Sequence, residues 1–167
     1  MSQNALPKVS IVTPSFNQAP FLEQTLRSVL EQDYPNLEYI VIDGGSTDGS
    51  LEIIYKYADR LAYWQSQPDQ GQTDAINQGF DRASGEILAW LNSDDLLLPG
   101  AVSAAVRALH EHPEAAMVYG DALLINAEGK TIGKFPAAQT DYRKLRRGYV
   151  HIPQQASFFR ADLWRQV

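Results

Sequence analysis

From residue 8 onward the chain alternates between short apolar, β-branched runs and longer stretches with apolar residues every three or four positions. The run at 8–13 (KVSIVT) predicts a strand, broken by Pro14 and Asn17. Leu22, Leu26, Val29 and Leu30 then predict an amphipathic helix over 20–32, ended by Tyr34-Pro35-Asn36. Residues 37–42 (LEYIVI) are nearly all apolar, as in a parallel strand buried on both faces. After Asp43-Gly44-Gly45, either Ser46 or Thr47 is placed to cap a helix lined by Leu51, Ile54, Tyr55 and Ala58. A third strand is expected at 61–66, a helix at 71–83, and a fourth strand at 86–91 (EILAWL). Pro99 suits the first position of a further helix with Val102, Val106 and Leu109 inside. Runs at 117–125 and 130–135 flank Asn126-Ala127-Glu128-Gly129, a hairpin signal. A short basic helix at 140–147, a strand at 155–159 and a helix at 161–167 complete the pattern.

Strand–helix alternation through the first half predicts an α/β fold, a mainly parallel sheet between helices, with an added hairpin. In such sheets ligands bind beyond the carboxyl ends of the strands. Three of those ends are rich in polar and small residues. They are Thr13-Pro14-Ser15-Phe16-Asn17, Asp43-Gly44-Gly45-Ser46-Thr47-Asp48 and Asn92-Ser93-Asp94-Asp95.

Composition narrows the chemistry. The 167 residues suit one domain and contain no cysteine, which excludes disulfides, thiolate metal sites and cysteine nucleophiles. No apolar run approaches the ~20 residues needed to span a bilayer, and the polar opening MSQNALPK does not read as a signal peptide. The net charge of −6 hides an asymmetry. Residues 1–133 carry seven basic and 18 acidic side chains, whereas 134–167 carry seven basic and two acidic. An acidic body argues against nucleic acid as a partner. The basic segment 134–147 fits a small anionic ligand, an anionic membrane surface or a solvated helix.

No Gly-x-Gly-x-x-Gly follows the first strand and no Gly-Lys-Ser/Thr loop occurs, so a bound pyrophosphate needs another counter-charge. A divalent Mn²⁺ or Mg²⁺ held by Asp94 would supply it, since such ions favour one or two carboxylates plus phosphate oxygens. The competing reading of Asn92-Ser93-Asp94-Asp95 is a cap and solvated loop. Pro99 places the next cap too far along for Asp94 or Asp95, and adjacent carboxylates repel unless a cation joins them. Asp43 also suits an Asx turn into Gly44-Gly45. Ser46, Thr47 and Asp48 read as capping residues, and His110 and His112 as exposed.

The stretches VSIVTPSFNQAPFLEQTLRSVLEQDYPNLEYIVIDGGSTDGS and PDQGQTDAINQGFDRASGEILAWLNSDD resemble the family 2 glycosyltransferases in motif order and spacing. The resemblance runs from Val9 to the chain end and implies the GT-A fold, a Rossmann-like three-layer α/β/α sandwich. It divides the chain into a nucleotide-binding part (8–98) and the start of an acceptor part (99–167). It implies transfer of a sugar from a nucleotide-diphosphate donor, a UDP-sugar foremost, to a sugar or lipid-linked acceptor, with inversion, in polysaccharide or glycoconjugate synthesis. Location would be cytoplasmic, at the inner membrane face if residues 134–147 touch it.

Roles follow by motif. Thr13, Pro14, Ser15 and Asn17, with Asp43, would frame the base and ribose. Asp69 and Gly71, in the Pro68-Asp69-Gln70-Gly71 turn, would line the nucleotide pocket, and Asn77 matches a position that the family keeps polar. Asn92-Ser93-Asp94 stands where the family has Asp-x-Asp, so Asp94 would bind the metal, with Asn92, Ser93 and Asp95 beside the substrate. The family's catalytic base is expected beyond Val167. A nucleotide-sugar-binding fragment without turnover is therefore the alternative, and a nucleotidyltransferase a weaker third.

Overall fold

The structure, a computed structural model, describes residues 6–149 and 151–165. Its main sheet contains β1 (Val9–Ser15), β2 (Leu37–Asp43), β3 (Tyr63–Ser66), β4 (Ile87–Trp90), β5 (Met117–Tyr119) and β8 (Ser157–Arg160). They lie in the order β3-β2-β1-β4-β8-β5. The pairs β1/β2, β1/β4 and β2/β3 are parallel, while β8 runs antiparallel to both of its neighbours. The chain steps outward from β1 to β3, then returns to place β4 on the other edge of β1. That reversal opens a crevice beyond the carboxyl ends of β1 and β4.

Helices α1 (Ala19–Leu30), α2 (Ser50–Tyr57) and α4 (Ala101–Glu111) cover one face. Helices α3 (Gln72–Arg82) and α6 (Ala161–Trp164) cover the other. Strand alternation explains the two cores. Val9, Ile11, Tyr39 and Val41 pack against Leu22, Leu26, Ile54 and Val102. Val12, Ile40 and Ile42 pack against Ala75, Phe80 and Ala161. Each fully buried aliphatic side chain is worth ~1.5–3 kcal/mol, and β1 is buried at all its positions, as a central strand must be. Gly79 lets α3 approach β1, since a Cβ there would lie 2.3 Å from Cγ1 of Val12.

Several expectations need correction. The run at 117–125 is not one strand: it turns at Gly120-Asp121, leaving β5 in the main sheet. Only β6 (Ala122–Ile125) pairs with β7 (Thr131–Phe135) in the hairpin. Pro99 does not start a helix. The Leu98 carbonyl accepts the Ala101 N–H at 3.1 Å, and Gly100 has φ +78°, so Pro99-Gly100 forms a turn of the kind that places Pro second and Gly third. Gly100 then caps α4. Neither Ser46 nor Thr47 caps α2, whose cap is Gly49 at φ +100°. Helix α5 (Tyr142–Arg146) is shorter than its expected span, and β8 follows a single 3₁₀ turn at Gln154–Ala156. Residues 166–167 of the expected last helix lie outside the described residues.

Candidate functional site

A cavity of about 740 Å³ occupies the crevice at the strand ends. Pro14, Ser15 and Phe16 come from the end of β1, Gly44 and Gly45 from the end of β2, and Asn92, Ser93 and Asp94 from the end of β4. Pro68, Asp69 and Gly71 from the β3–α3 loop, with Gln72 and Ala75 of α3, close another side. Of the residues singled out from sequence, Pro14, Ser15, Asp69, Gly71, Asn92, Ser93 and Asp94 thus meet at one place.

Thr13, Asn17, Asp43 and Asp95 lie outside this lining. Thr13 is fully buried, its hydroxyl 2.8 Å from that of Tyr39. Burial raises the Tyr39 phenol above its ordinary range, keeping it neutral. Asp43 is also fully buried. Its Oδ2 accepts the N–H groups of Gly45 (3.1 Å) and Ser46 (2.9 Å) and the Ser66 hydroxyl (2.6 Å), while its Oδ1 accepts the Ser46 hydroxyl. The Asx-turn reading of Asp43 therefore describes its carboxylate here. Asn17, at φ +52°, accepts the Thr47 N–H at 3.0 Å and donates its own N–H to Ser46 at 2.8 Å. With Asp48 accepting from Ala19 at 2.9 Å, the loops after β1 and β2 are laced together.

The β4 turn carries the acidic chemistry. Asp95 N–H donates to Asn92 O at 3.0 Å, and the Thr25 hydroxyl of α1 lies 2.9 Å from the carbonyls of both Ser93 and Asp95. This presents Asp94 to solvent at the cavity wall and turns Asp95 inward, 3.2 Å from Asn92 Nδ2. Burial, then the charge of Asp94, raises the Asp95 carboxyl above its usual range. A cation at Asp94 would relieve that repulsion. No group of three or more His, Asp or Glu gathers among the described residues.

Asn77 is not brought to the cavity. Two residues past Ala75, it sits ~200° further around α3, in a groove with Phe80 and Trp164. Two residues of the site carried no recognisable signal. Gln72 Nε2 donates to Asn92 Oδ1 at 2.8 Å. Gln154, 62 residues beyond Asn92, accepts from its Nδ2 at 3.3 Å and donates to the Trp90 carbonyl at 2.7 Å. The Ser15 hydroxyl is buried without a partner among the described residues, although Ser15 lines the cavity.

The architecture is that of GT-A glycosyltransferases. Staphylococcus aureus TarS, residues 1–349 in complex with UDP-GlcNAc, superposes with a TM-score of 0.75 at 22% identity, over 95% of this chain and 47% of that one. The mannosyltransferase PcManGT of Pyrobaculum calidifontis, in complex with GDP-Man and Mn²⁺, gives 0.72 at 24% identity, over 98% and 47%. The chain belongs to glycosyl transferase family 2, whose sequence profile matches residues 10–164. An uncharacterized glycosyltransferase of Mycobacterium tuberculosis is 38% identical over 165 residues, 96% of this chain and 62% of the relative. The chain thus spans less than two thirds of that relative's length.

Proposed function

We propose that this chain binds a nucleotide-diphosphate sugar in the strand-end cavity and serves transfer of its sugar to an acceptor hydroxyl. The observation that carries the reading is the meeting of Ser15, Asp69, Asn92 and Asp94 around one cavity at the β1/β4 reversal. The nucleotide sugars held by TarS and PcManGT support it, and a UDP-sugar is the preferred donor.

Asp94 would hold Mn²⁺ or Mg²⁺, which when bound stabilises charge on the departing diphosphate. The Mn²⁺ in PcManGT supports that choice. The chain's own groups orient the donor. Phe16 is 60% exposed at the cavity and offers a ring face to a base. The Ser15 hydroxyl can hydrogen-bond a base or ribose atom once the side chain turns toward the cavity. Gly44 keeps Asp69 close, because a Cβ there would come within 2.9 Å of its carboxylate. Asp69 in turn accepts the Gly71 N–H at 2.8 Å and fixes the start of α3. Inversion, carried by the family resemblance, requires a carboxylate base on the acceptor side of the sugar.

The acceptor is a sugar or lipid-linked sugar. The five cations within residues 134–147 support contact with an anionic membrane face; the cytoplasmic setting and the role in polysaccharide or glycoconjugate synthesis rest on the family resemblance. No helix among the described residues is long and apolar enough to cross a membrane. One observation favours a second reading, donor binding without turnover. The acidic residues lining the cavity are Asp69, tied to its own loop, and Asp94, assigned to the metal. Incubation with UDP-GlcNAc and Mn²⁺, with release of UDP measured beside UDP binding, separates the two. Release that disappears in Asp94→Ala supports transfer chemistry. Binding without release supports the second reading, and absence of both contradicts each.

A further inference from the structure

A second cavity, of about 540 Å³, lies under α5 and is lined by Thr140, Asp141, Arg143, Lys144, Arg147 and His151, among others. Its walls are fixed from several directions. The Tyr119 hydroxyl of β5 donates to Ala138 O at 3.1 Å and accepts the Thr140 N–H at 3.2 Å. Asp121 accepts the Ala137 N–H at 2.8 Å, and Ala138 N–H donates to His151 O at 3.2 Å. The one carboxylate in the lining, Asp141, caps α5 by accepting the Lys144 N–H at 2.9 Å. Lys144 Nζ is held by Gln139 O at 2.7 Å.

That leaves Arg143 and Arg147, which have no ion-pair partner among the described residues. Thr140 Oγ1 is buried without a hydrogen-bond partner among the described residues. Two guanidinium forks and an unpartnered hydroxyl around a concavity match the oxygens of a phosphate group, which accepts several donors at once. Tyr149, in the same lining and 62% exposed, adds apolar surface beside these donors. Three residues after His151, Gln154 touches Asn92 at the donor cavity, a distance along the chain of at most ~11 Å.

We propose that this cavity is a phosphate-ester site for an amphiphilic ligand, holding the phosphate or diphosphate of a lipid-linked acceptor beside the donor cavity. Only the description of the ligand as an acceptor rests on the glycosyltransferase reading. The anion site rests on its own geometry.

The test uses the 167-residue chain in EDTA, with inorganic pyrophosphate, inorganic phosphate and monomeric decyl phosphate as calorimetric titrants. Pyrophosphate is expected to bind, and Arg143→Gln with Arg147→Gln to weaken it about tenfold or more, as loss of charge-assisted hydrogen bonds implies. Thr140→Val should weaken it several-fold. Lys134→Gln with Arg146→Gln removes two cations outside the cavity and should leave binding unchanged. Decyl phosphate should bind several-fold tighter than inorganic phosphate, an excess removed by Tyr149→Ser.

No pyrophosphate binding, or equal weakening by the two cation pairs, overturns the site. Equal affinity for decyl and inorganic phosphate overturns its amphiphilic ligand. Mn²⁺-dependent UDP binding, measured on the same variants, should be unaffected and reports folding. Its failure with pyrophosphate binding intact would remove the donor reading and leave the anion site standing.

Discussion

Asp94 and Ser15 illustrate how a strand end divides labour between exposed and buried groups. Asp94 is exposed at the cavity wall, whereas the Ser15 hydroxyl is buried and unpartnered among the described residues. Ser15→Ala should therefore raise the thermal midpoint, since removing an unsatisfied hydroxyl gains up to ~1 kcal/mol, while weakening UDP binding in the presence of Mn²⁺. Calorimetry of both properties checks the opposed signs. At the other end of the sheet, Glu38 accepts from the Ser84 N–H at 2.7 Å, from the Ser84 hydroxyl at 2.6 Å and from Ser10, with Lys8 nearby. Burial pushes its carboxyl up, but these hydrogen bonds outweigh burial and hold it below the usual glutamate range. A carboxyl lowered in the folded state adds stability above its unfolded pKa and loses it as pH falls through the folded value. Glu38→Gln should thus cost ~1.5–3 kcal/mol at neutral pH, the worth of hydrogen bonds to a charged group. In urea titrations the deficit should shrink as pH falls below the ordinary glutamate range.

Among the elements, α3 is held closest, through Gly79 over Val12. Alanine would gain ~1 kcal/mol of helix propensity, but a Cβ 2.3 Å from a β-branched side chain on a fully buried strand forces repacking, which costs ~1–3 kcal/mol. Gly79→Ala should lower the urea midpoint, and Val12→Ala in the same chain should recover part of the loss. The parallel strands were legible because LEYIVI and EILAWL are too apolar for anything but a sheet interior. The run at 117–125 was misread because periodicity carries no information about which sheet a residue joins. The break at Gly120-Asp121 depends on Asp121 binding Ala137, a contact sixteen residues away. Pro99 was misplaced for a local reason: Pro followed by Gly satisfies a turn as well as a helix start. Pro14, Ser15, Asn92, Ser93 and Asp94 could be found because they sit at or just past strand ends, whereas Asp69 and Gly71 came from the family motif alone. Gln72 and Gln154 could not, because glutamine on a helix or turn looks like any solvated side chain, and Asn77 was carried by motif position against helix geometry.

Across the whole molecule, charge and ligand sites separate along the chain. The acidic first 133 residues hold the strand-end cavity, and the basic remainder holds the cavity under α5. A ligand that binds only the folded state stabilises it by ~2.7 kcal/mol at a hundredfold excess over Kd. UDP with Mn²⁺ should accordingly raise the thermal midpoint by several degrees, and UDP in EDTA by much less. Whether the strand-end cavity holds a nucleotide diphosphate through a metal at Asp94 is decided by calorimetric titration of UDP into the wild-type chain and Asp94→Ala, each with Mn²⁺ and with EDTA. Asp94 is exposed, so its replacement should leave the unfolding midpoint nearly unchanged. Mn²⁺-dependent binding in the wild type that is lost in Asp94→Ala is expected; equal binding by both proteins, or none by the wild type, rules out a metal-bridged diphosphate at Asp94.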